Sequence, residues 1–327
     1  MSFTAFIAAC LGKAVHEDKS VQAYRKGRNQ LVLFQDVDIS IMPTVNSSMQ
    51  GKICMVTGAN SGIGKATALA LAQMGATVVM VCRDRVRGEE AKSEITTQSR
   101  NNAVDLLQAD LSSQQSIRQL VENFQHHYTH LHVLINNAGA AFPGRRETVD
   151  GLEMTFAVNY LAPFLLTNLL LDVLKASAPA RIVNVSSAVQ ASGYIQMDDL
   201  QAEKLYRPMR TYPQSKLAVV LFTYELARRL QETGVTANCL HPGFVATNFG
   251  QSDVGPAVRL LVKLIGSFGA SLQEGAKTSI YLASSPEVEG VTGTYFVKSI
   301  PKRSAAISYD ESLQRQLWEQ SAKLVNL

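Results

Sequence analysis

Several things are missing from this chain of 327 residues, and each absence narrows what it can be. There is no Gly/Ser or Pro run, no block of like charge and no internal repeat, which excludes linked modules and a solenoid. No run is apolar and long enough to span a bilayer. The short apolar start, residues 3–11, lacks the basic stretch that precedes a secretory signal core. The four cysteines, Cys10, Cys54, Cys82 and Cys239, have no paired spacing, so neither a disulfide framework nor a thiolate metal site is expected. His126, His127, His130 and His132 lie close together, but their spacing fits no closed zinc site. Net charge is only +4 and no basic stripe interleaves with aromatics, which argues against nucleic acid as a partner.

What is present is enough apolar material, 46%, for a full core. We read one domain over residues 51–327 and an N-terminal extension over 1–50. The extension is open to three readings: a start placed too far upstream, a disordered arm, or a regulatory piece. The domain opens on an apolar run at 53–56, the pattern of a buried strand. Then come Thr57-Gly58-Ala59-Asn60-Ser61-Gly62-Ile63-Gly64 and an alanine- and leucine-rich run at 65–74 that reads as a helix. Strand, glycine turn and helix together make an anion cradle. The first glycine permits the tight turn. The second lets backbone approach a pyrophosphate, and the third lets helix pack on strand. The ligand's charge then meets the free N–H groups of the helix N-terminus. A plain tight turn would match the glycines alone; the flanking elements favour the cradle.

From there strands and helices alternate. Strand-like runs fall at 76–82, 103–109, 132–135, 180–185, 235–240 and 293–297. Helical periodicity falls at 87–97, 113–127, 148–176, 217–230, 256–268 and 272–282, followed by a tail helix. The alternation predicts a single-domain Rossmann-type α/β fold, a doubly wound parallel sheet of about seven strands with helices on both faces. Ligands in such sheets lie at strand C-termini. The glycine turn, Arg83, Asp110-Leu111, Asn137-Ala138-Gly139, Ser187 and Pro242-Gly243 all fall there.

Arg83 follows the tip of the second strand, where an adenosine ribose would lie. A guanidinium there pairs with a 2′-phosphate and selects NADP(H); an acid accepts from a 2′-hydroxyl and selects NAD(H). Arg83 favours NADP(H), and Asp84 leaves NAD(H) as the alternative. Asp110 suits an adenine amine or, equally, the start of the next helix, with Ser112 and Ser113 as caps. Asn159 is a lone amide in the apolar run 156–164, so it has a structural partner or holds a water. Tyr212 and Lys216 are four apart and share a face on a helix. A phenol has a pKa of about 10, too high for a base near neutrality. An ammonium beside it draws that value down.

Alone, such a pair would be a surface contact. Here it stands with TGxxxGxG at Thr57 to Gly64, Asn136-Asn137-Ala138-Gly139, Asn159, Ser187 and Pro242-Gly243. In that order these motifs resemble the short-chain dehydrogenase/reductase family over residues 51–327. Cys82-Arg83-Asp84, the run from Arg181 to Ser187, Tyr212-Pro213-Gln214-Ser215-Lys216 and Leu317-Trp318-Glu319 are similar to its retinol dehydrogenase-like branch. The resemblance implies an NADP-dependent oxidoreductase acting on CH–OH donors, which interconverts a carbonyl and an alcohol on a small lipophilic, retinoid-like substrate. It implies Tyr212 as general acid/base and Lys216 as its tuner and holder of the nicotinamide ribose. Ser187 would meet the substrate oxygen, and Asn159 would hold a water beside Lys216. Cofactor contacts would include Gly58, Asn60, Ser61, Gly62, Ile63 and Gly64 in the turn, and Val245 and Thr247 beyond Pro242-Gly243.

The branch forms its substrate wall in the segment that corresponds to 248–268, where Val258, Leu260, Leu261, Val262, Leu264 and Ile265 are apolar. An apolar lid suits an apolar substrate. The stripe equally suits a homodimer contact, or a peripheral membrane contact with Arg259 and Lys263 at headgroups, or plain helix packing within a monomer. A cytoplasmic protein is expected, with membrane association as the variant. Two competing functions stand beside the oxidoreductase. One is a non-catalytic cofactor-binding sensor or scaffold, against which the intact Ser187, Tyr212, Lys216 and Asn159 argue. The other is a same-fold reductase of polar substrates, whose lid would be more polar.

Overall fold

The structure, a computed structural model, describes residues 23–25, 31–33, 48–243 and 271–327. The chain forms two compact units, Met1–Asn46 and Ser47–Leu327. In the first, β1 (Ala23–Arg25) pairs antiparallel with β2 (Leu31–Leu33).

In the second unit the strands are β3 (Ile53–Thr57), β4 (Thr77–Cys82), β5 (Val104–Gln108) and β6 (Val133–Asn136). They continue with β7 (Ala180–Val185), β8 (Val235–His241), β9 (Tyr295–Val297) and β10 (Ile300–Lys302). Among the described residues they form one sheet of eight in the order β10-β9-β8-β7-β6-β3-β4-β5. Every pairing is parallel except β9 with β10. The chain moves outward from β3 to β5, then crosses back to lay β6 on the other side of β3. That reversal opens a crevice between the C-terminal ends of β3 and β6, the place where doubly wound sheets bind ligands.

The helices are α1 (Gly62–Gln73), α2 (Arg85–Ser99), α3 (Gln114–His127) and α4 (Met154–Phe156). A π-helical turn, Ala157–Leu161, leads into α5 (Ala162–Leu169) and α6 (Leu171–Ala176). Among the described residues α7 (Pro208–Arg229), α8 (Leu272–Ser284) and α9 (Glu311–Leu324) follow. Strand side chains alternate between two cores. Met55 of β3 joins Val79 and Leu134 on one face, while Cys54 and Val56 join Val78, Met80 and Ile135 on the other. α8 packs on α1 over one face, and α9 on α7 over the opposite one. Trp318 of α9 lies 4.9 Å from the Phe164 ring and 5.7 Å from Phe222, with the Arg229 guanidinium 4.2 Å over its own ring.

Three sequence readings need correction. The sheet has an eighth strand, β10, antiparallel at the edge. Helix does not begin at residue 148: residues 147–153 make a turn, closed by a Glu147–Glu153 bridge and by Thr148 N–H on Leu152 O at 2.8 Å. α7 starts at Pro208, upstream of the periodicity at 217–230, and holds Pro213 in its interior. His132 stacks on His130 with ring centroids 6.0 Å apart, and its Nδ1 accepts from the Ile53 N–H at 3.0 Å and ties β6 to β3. The expected helix at 256–268 lies outside the described residues. Cys54, Cys82 and Cys239 are free thiols in the core, and burial pushes those of Cys54 and Cys239 up to about 12. Among the described residues no helix is long and apolar enough to cross a membrane.

Candidate active site

The cradle after β3 is shaped by its glycines. Gly58 and Gly62 have φ of +67° and +58°, in the left-handed region that side chains disfavour. A Cβ on Gly64 would lie 2.3 Å from Gly58 O and 2.4 Å from Asn137 Nδ2, so only glycine lets the helix come this close. Ser61 precedes α1 without making a side-chain cap bond. The first N–H groups of α1 therefore retain the orphan donors and positive end that favour an anion. This cradle, closed to any Cβ, fits the pyrophosphate of a dinucleotide.

Thr57 holds the cradle to the next strand end. Its Oγ1 accepts from Asn137 N–H at 2.9 Å and Ala138 N–H at 3.0 Å, and donates to Ile135 O at 3.3 Å. Asn137 Nδ2 donates back to Thr57 O at 2.8 Å. The Asn137 amide thus joins two strand ends, and Ala138 and Gly139 follow it into the crevice. Thr57 has a role that motif spacing does not announce. The one clue is a hydroxyl immediately before the first glycine.

Arg83 is exposed just past β4, and its carbonyl accepts from Gln108 Nε2 at 2.9 Å. Asp84 is the N-cap of α2, accepting from Arg87 N–H at 3.1 Å. Asp110 Oδ1 accepts from Ser112 N–H at 2.9 Å and Ser112 Oγ at 2.7 Å, and Ser113 caps α3. Leu111 is half-buried and packs on the core.

Across the crevice the site is made of side chains. α7 carries Tyr212 and Lys216 on one face. Lys216 is buried, donates from Nζ to Val185 O at 3.0 Å, and lies 6.0 Å from the Tyr212 ring centroid. Ser187 follows β7, caps the short 3-10 turn Ala188–Ser192, and its hydroxyl bonds to that of Tyr212. Asn159 sits in the π-helical turn, a geometry that is rare and often found at functional positions. Its Oδ1 accepts from Ala140 N–H at 2.7 Å; its Nδ2 donates to Ala140 O at 2.9 Å and Ser215 Oγ at 3.0 Å. Ser215 Oγ in turn donates to Tyr212 O at 2.8 Å. The Asn159 amide is therefore satisfied within the protein. Beneath it Asn136 Nδ2 donates to Asn184 Oδ1 at 2.8 Å, and Asn184 Nδ2 to Thr223 Oγ1 at 3.0 Å, locking β6, β7 and α7 together.

The electrostatics depart from the simple ammonium argument. Burial raises the Tyr212 phenol above its ordinary value, and the Ser187 hydrogen bond pulls the other way. Burial also lowers Lys216 to about 8. Both shifts are those that burial imposes, each favouring the neutral form. Gly243 has φ of +89°, which gives the Pro242-Gly243 bend its shape. Val245, Thr247 and the lid at 248–268 lie outside the described residues.

The glycine cradle, the Ser187–Tyr212–Lys216 grouping and the switch-point crevice lie together at the C-terminal ends of the parallel strands, the ligand-binding edge of a doubly wound sheet. The family model for short chain dehydrogenases matches residues 52–255. The chain belongs to that family, whose members bind NAD(P), and to its retinol dehydrogenase-like branch. It is 46% identical to human retinol dehydrogenase 14 over 85% of this chain and 88% of that one. It is 44% identical to human polyprenol dehydrogenase over 84% and 86% of the two chains. The crystal structure of an uncharacterized protein from Mycobacterium paratuberculosis is similar too, with a TM-score of 0.69 and 31% identity over 85% of this chain and 95% of that one.

Proposed function

We propose that this short-chain oxidoreductase interconverts a lipophilic aldehyde or ketone and its alcohol with NADP(H), and that Tyr212 is its general acid/base. The observation that carries the reading is the Ser187–Tyr212 hydroxyl pair beside a buried Lys216 at the C-terminal end of β7. A bound nicotinamide would supply or accept the hydride. The protein's part is the proton and the developing charge. Tyr212 gives its proton to a carbonyl oxygen on reduction, and takes one from a hydroxyl on oxidation. Ser187 donates to the same oxygen as charge builds there. Lys216, at about 8, is already mostly an ammonium near neutrality, and its charge stabilises the phenolate as that forms. The glycine cradle would hold the pyrophosphate, and Arg83 the 2′-phosphate, while Asp84 is occupied in capping. The retinol and polyprenol dehydrogenase relatives support an apolar substrate.

The test is turnover of all-trans-retinal and decanal by purified protein with NADPH and with NADH. Tyr212→Phe is expected to lower kcat by at least about 100-fold while the Kd for NADPH stays within about two-fold. Equal turnover by the variant would remove the acid/base assignment. Cofactor binding by the wild type with no turnover of any carbonyl would favour the sensor reading.

A further inference from the structure

Glu153 is an acid with none of its surface exposed, compared with 3% for Glu225 and 9% for Asp199. A carboxylate is costly to bury and persists only where hydrogen bonds compensate. Here both oxygens are used. Oε1 accepts from Thr155 N–H at 2.8 Å and Oε2 from Phe156 N–H at 2.7 Å. The backbone N–H of Glu153 donates to Gln201 Oε1 at 2.7 Å, and Gln201 O accepts from Arg145 Nε at 3.2 Å. Nearby, Tyr206 OH donates to Phe142 O at 2.8 Å.

Three segments therefore meet around Glu153, its carboxylate holding the first turn and its backbone N–H holding Gln201: the loop after β6, the start of the helix that carries Asn159, and the loop that leads into α7. A helix start by itself needs no glutamate, since Ser, Thr, Asp and Asn are the preferred caps. The turn that Glu153 caps is followed at once by the π-helical turn. Advancing that register by one residue would swing Asn159 through about 100° and off Ala140.

We propose that Glu153 is a positioning residue: by fixing the first turn it holds Asn159 on Ala140 and Ser215, and through Ser215 the turn of α7 that bears Tyr212. The proposal rests on Tyr212 being the acid/base. Burial raises the Glu153 carboxyl above its ordinary value, and the N–H bonds from Thr155 and Phe156 and the charge of Arg145 pull the other way.

Two readouts test it in Glu153→Gln, which puts an amide NH₂ against one of the two N–H donors. The first is amide hydrogen exchange at Ala140, whose N–H is held by Asn159. Its protection is expected to fall by about ten-fold or more. The second is kcat on all-trans-retinal per NADPH-binding molecule, expected to fall about ten-fold, with KM and the NADPH Kd within about two-fold. Glu153→Asp, which keeps a capping carboxylate, is expected to regain most of both. Unchanged Ala140 protection, or a lower Tm with unchanged kcat per cofactor-binding molecule, would overturn the proposal. If Glu153→Gln does not fold, Gln201→Ala is judged by the same two readouts, with smaller losses expected and unchanged values overturning it. Reduced Ala140 protection in a protein whose wild type turns over no carbonyl would sink the acid/base reading and leave the positioning role standing.

Discussion

On the β3 side of the crevice the site is made of backbone, and on the β7 side it is made of buried side chains. Around Gly58 and Gly64 what matters is what is absent: there is no room for a Cβ, and Thr57 only knots two strand ends together. Around Tyr212 the geometry depends on amides and hydroxyls that find one another across the chain. Asn136 and Asn184 are 48 residues apart, and Asn159 and Ser215 are 56 apart. The first kind of site tolerates no added atom. The second tolerates no missing partner.

That difference can be broken from either side. The largest effect is expected for Gly64→Ala, because the new methyl meets backbone at Gly58 and cannot be relieved by a rotamer change. A loss of about 3 kcal/mol, with loss of NADPH binding, should appear in urea melts and cofactor titration. Asn184→Ala leaves the Asn136 amide and the Thr223 hydroxyl without their shared partner, and should cost about 2 kcal/mol in the same melts.

Lys216→Met reverses the sign. Lys216 holds its proton less tightly when folded, at about 8, than at its ordinary 10.5. Wild-type stability therefore rises as pH climbs between those values, and the cost of charging the buried amine is present in full below about 8. Even after losing the bond to Val185, the variant should be inactive yet more stable by about 1 kcal/mol at pH 7, with the gap closing as pH rises through that window. A variant less stable than wild type at pH 7 would mean the amine is not strained by burial. The smallest effect on stability belongs to exposed Arg83. Arg83→Ala should stay within about 0.5 kcal/mol in melts while weakening NADPH about ten-fold relative to NADH, and an unchanged ratio would remove the cofactor assignment.

The same contrast explains what could be read in advance. The glycine spacing of 58, 62 and 64, the order of strands and helices, and the pairing of Tyr212 with Lys216 are local patterns, so they were legible. The partners of Asn159 and the Thr57 knot are meetings between distant segments with no fixed spacing, and nothing short-range encodes them; the Glu153 cap is local, but glutamate is not among the preferred cap residues. Burial, which raises the Tyr212 phenol, is a property of the whole fold and has no signature in the Tyr212–Lys216 spacing. β10 was missed for a local reason. Its turn places Lys298 and Ser299 at φ of +51° and +59°, where the usual hairpin signal is glycine or asparagine, and Pro301 argues against a strand.

That last strand has an effect beyond the sheet's own architecture. With β10 on the flank, the free border on that side belongs to an exposed three-residue piece containing a proline that has no N–H to offer and a charged Lys302. A neighbouring molecule in search of a partner strand finds little to zip onto there. Strand addition at this border of the described sheet should therefore be disfavoured by Pro301 and Lys302, residues outside the candidate site.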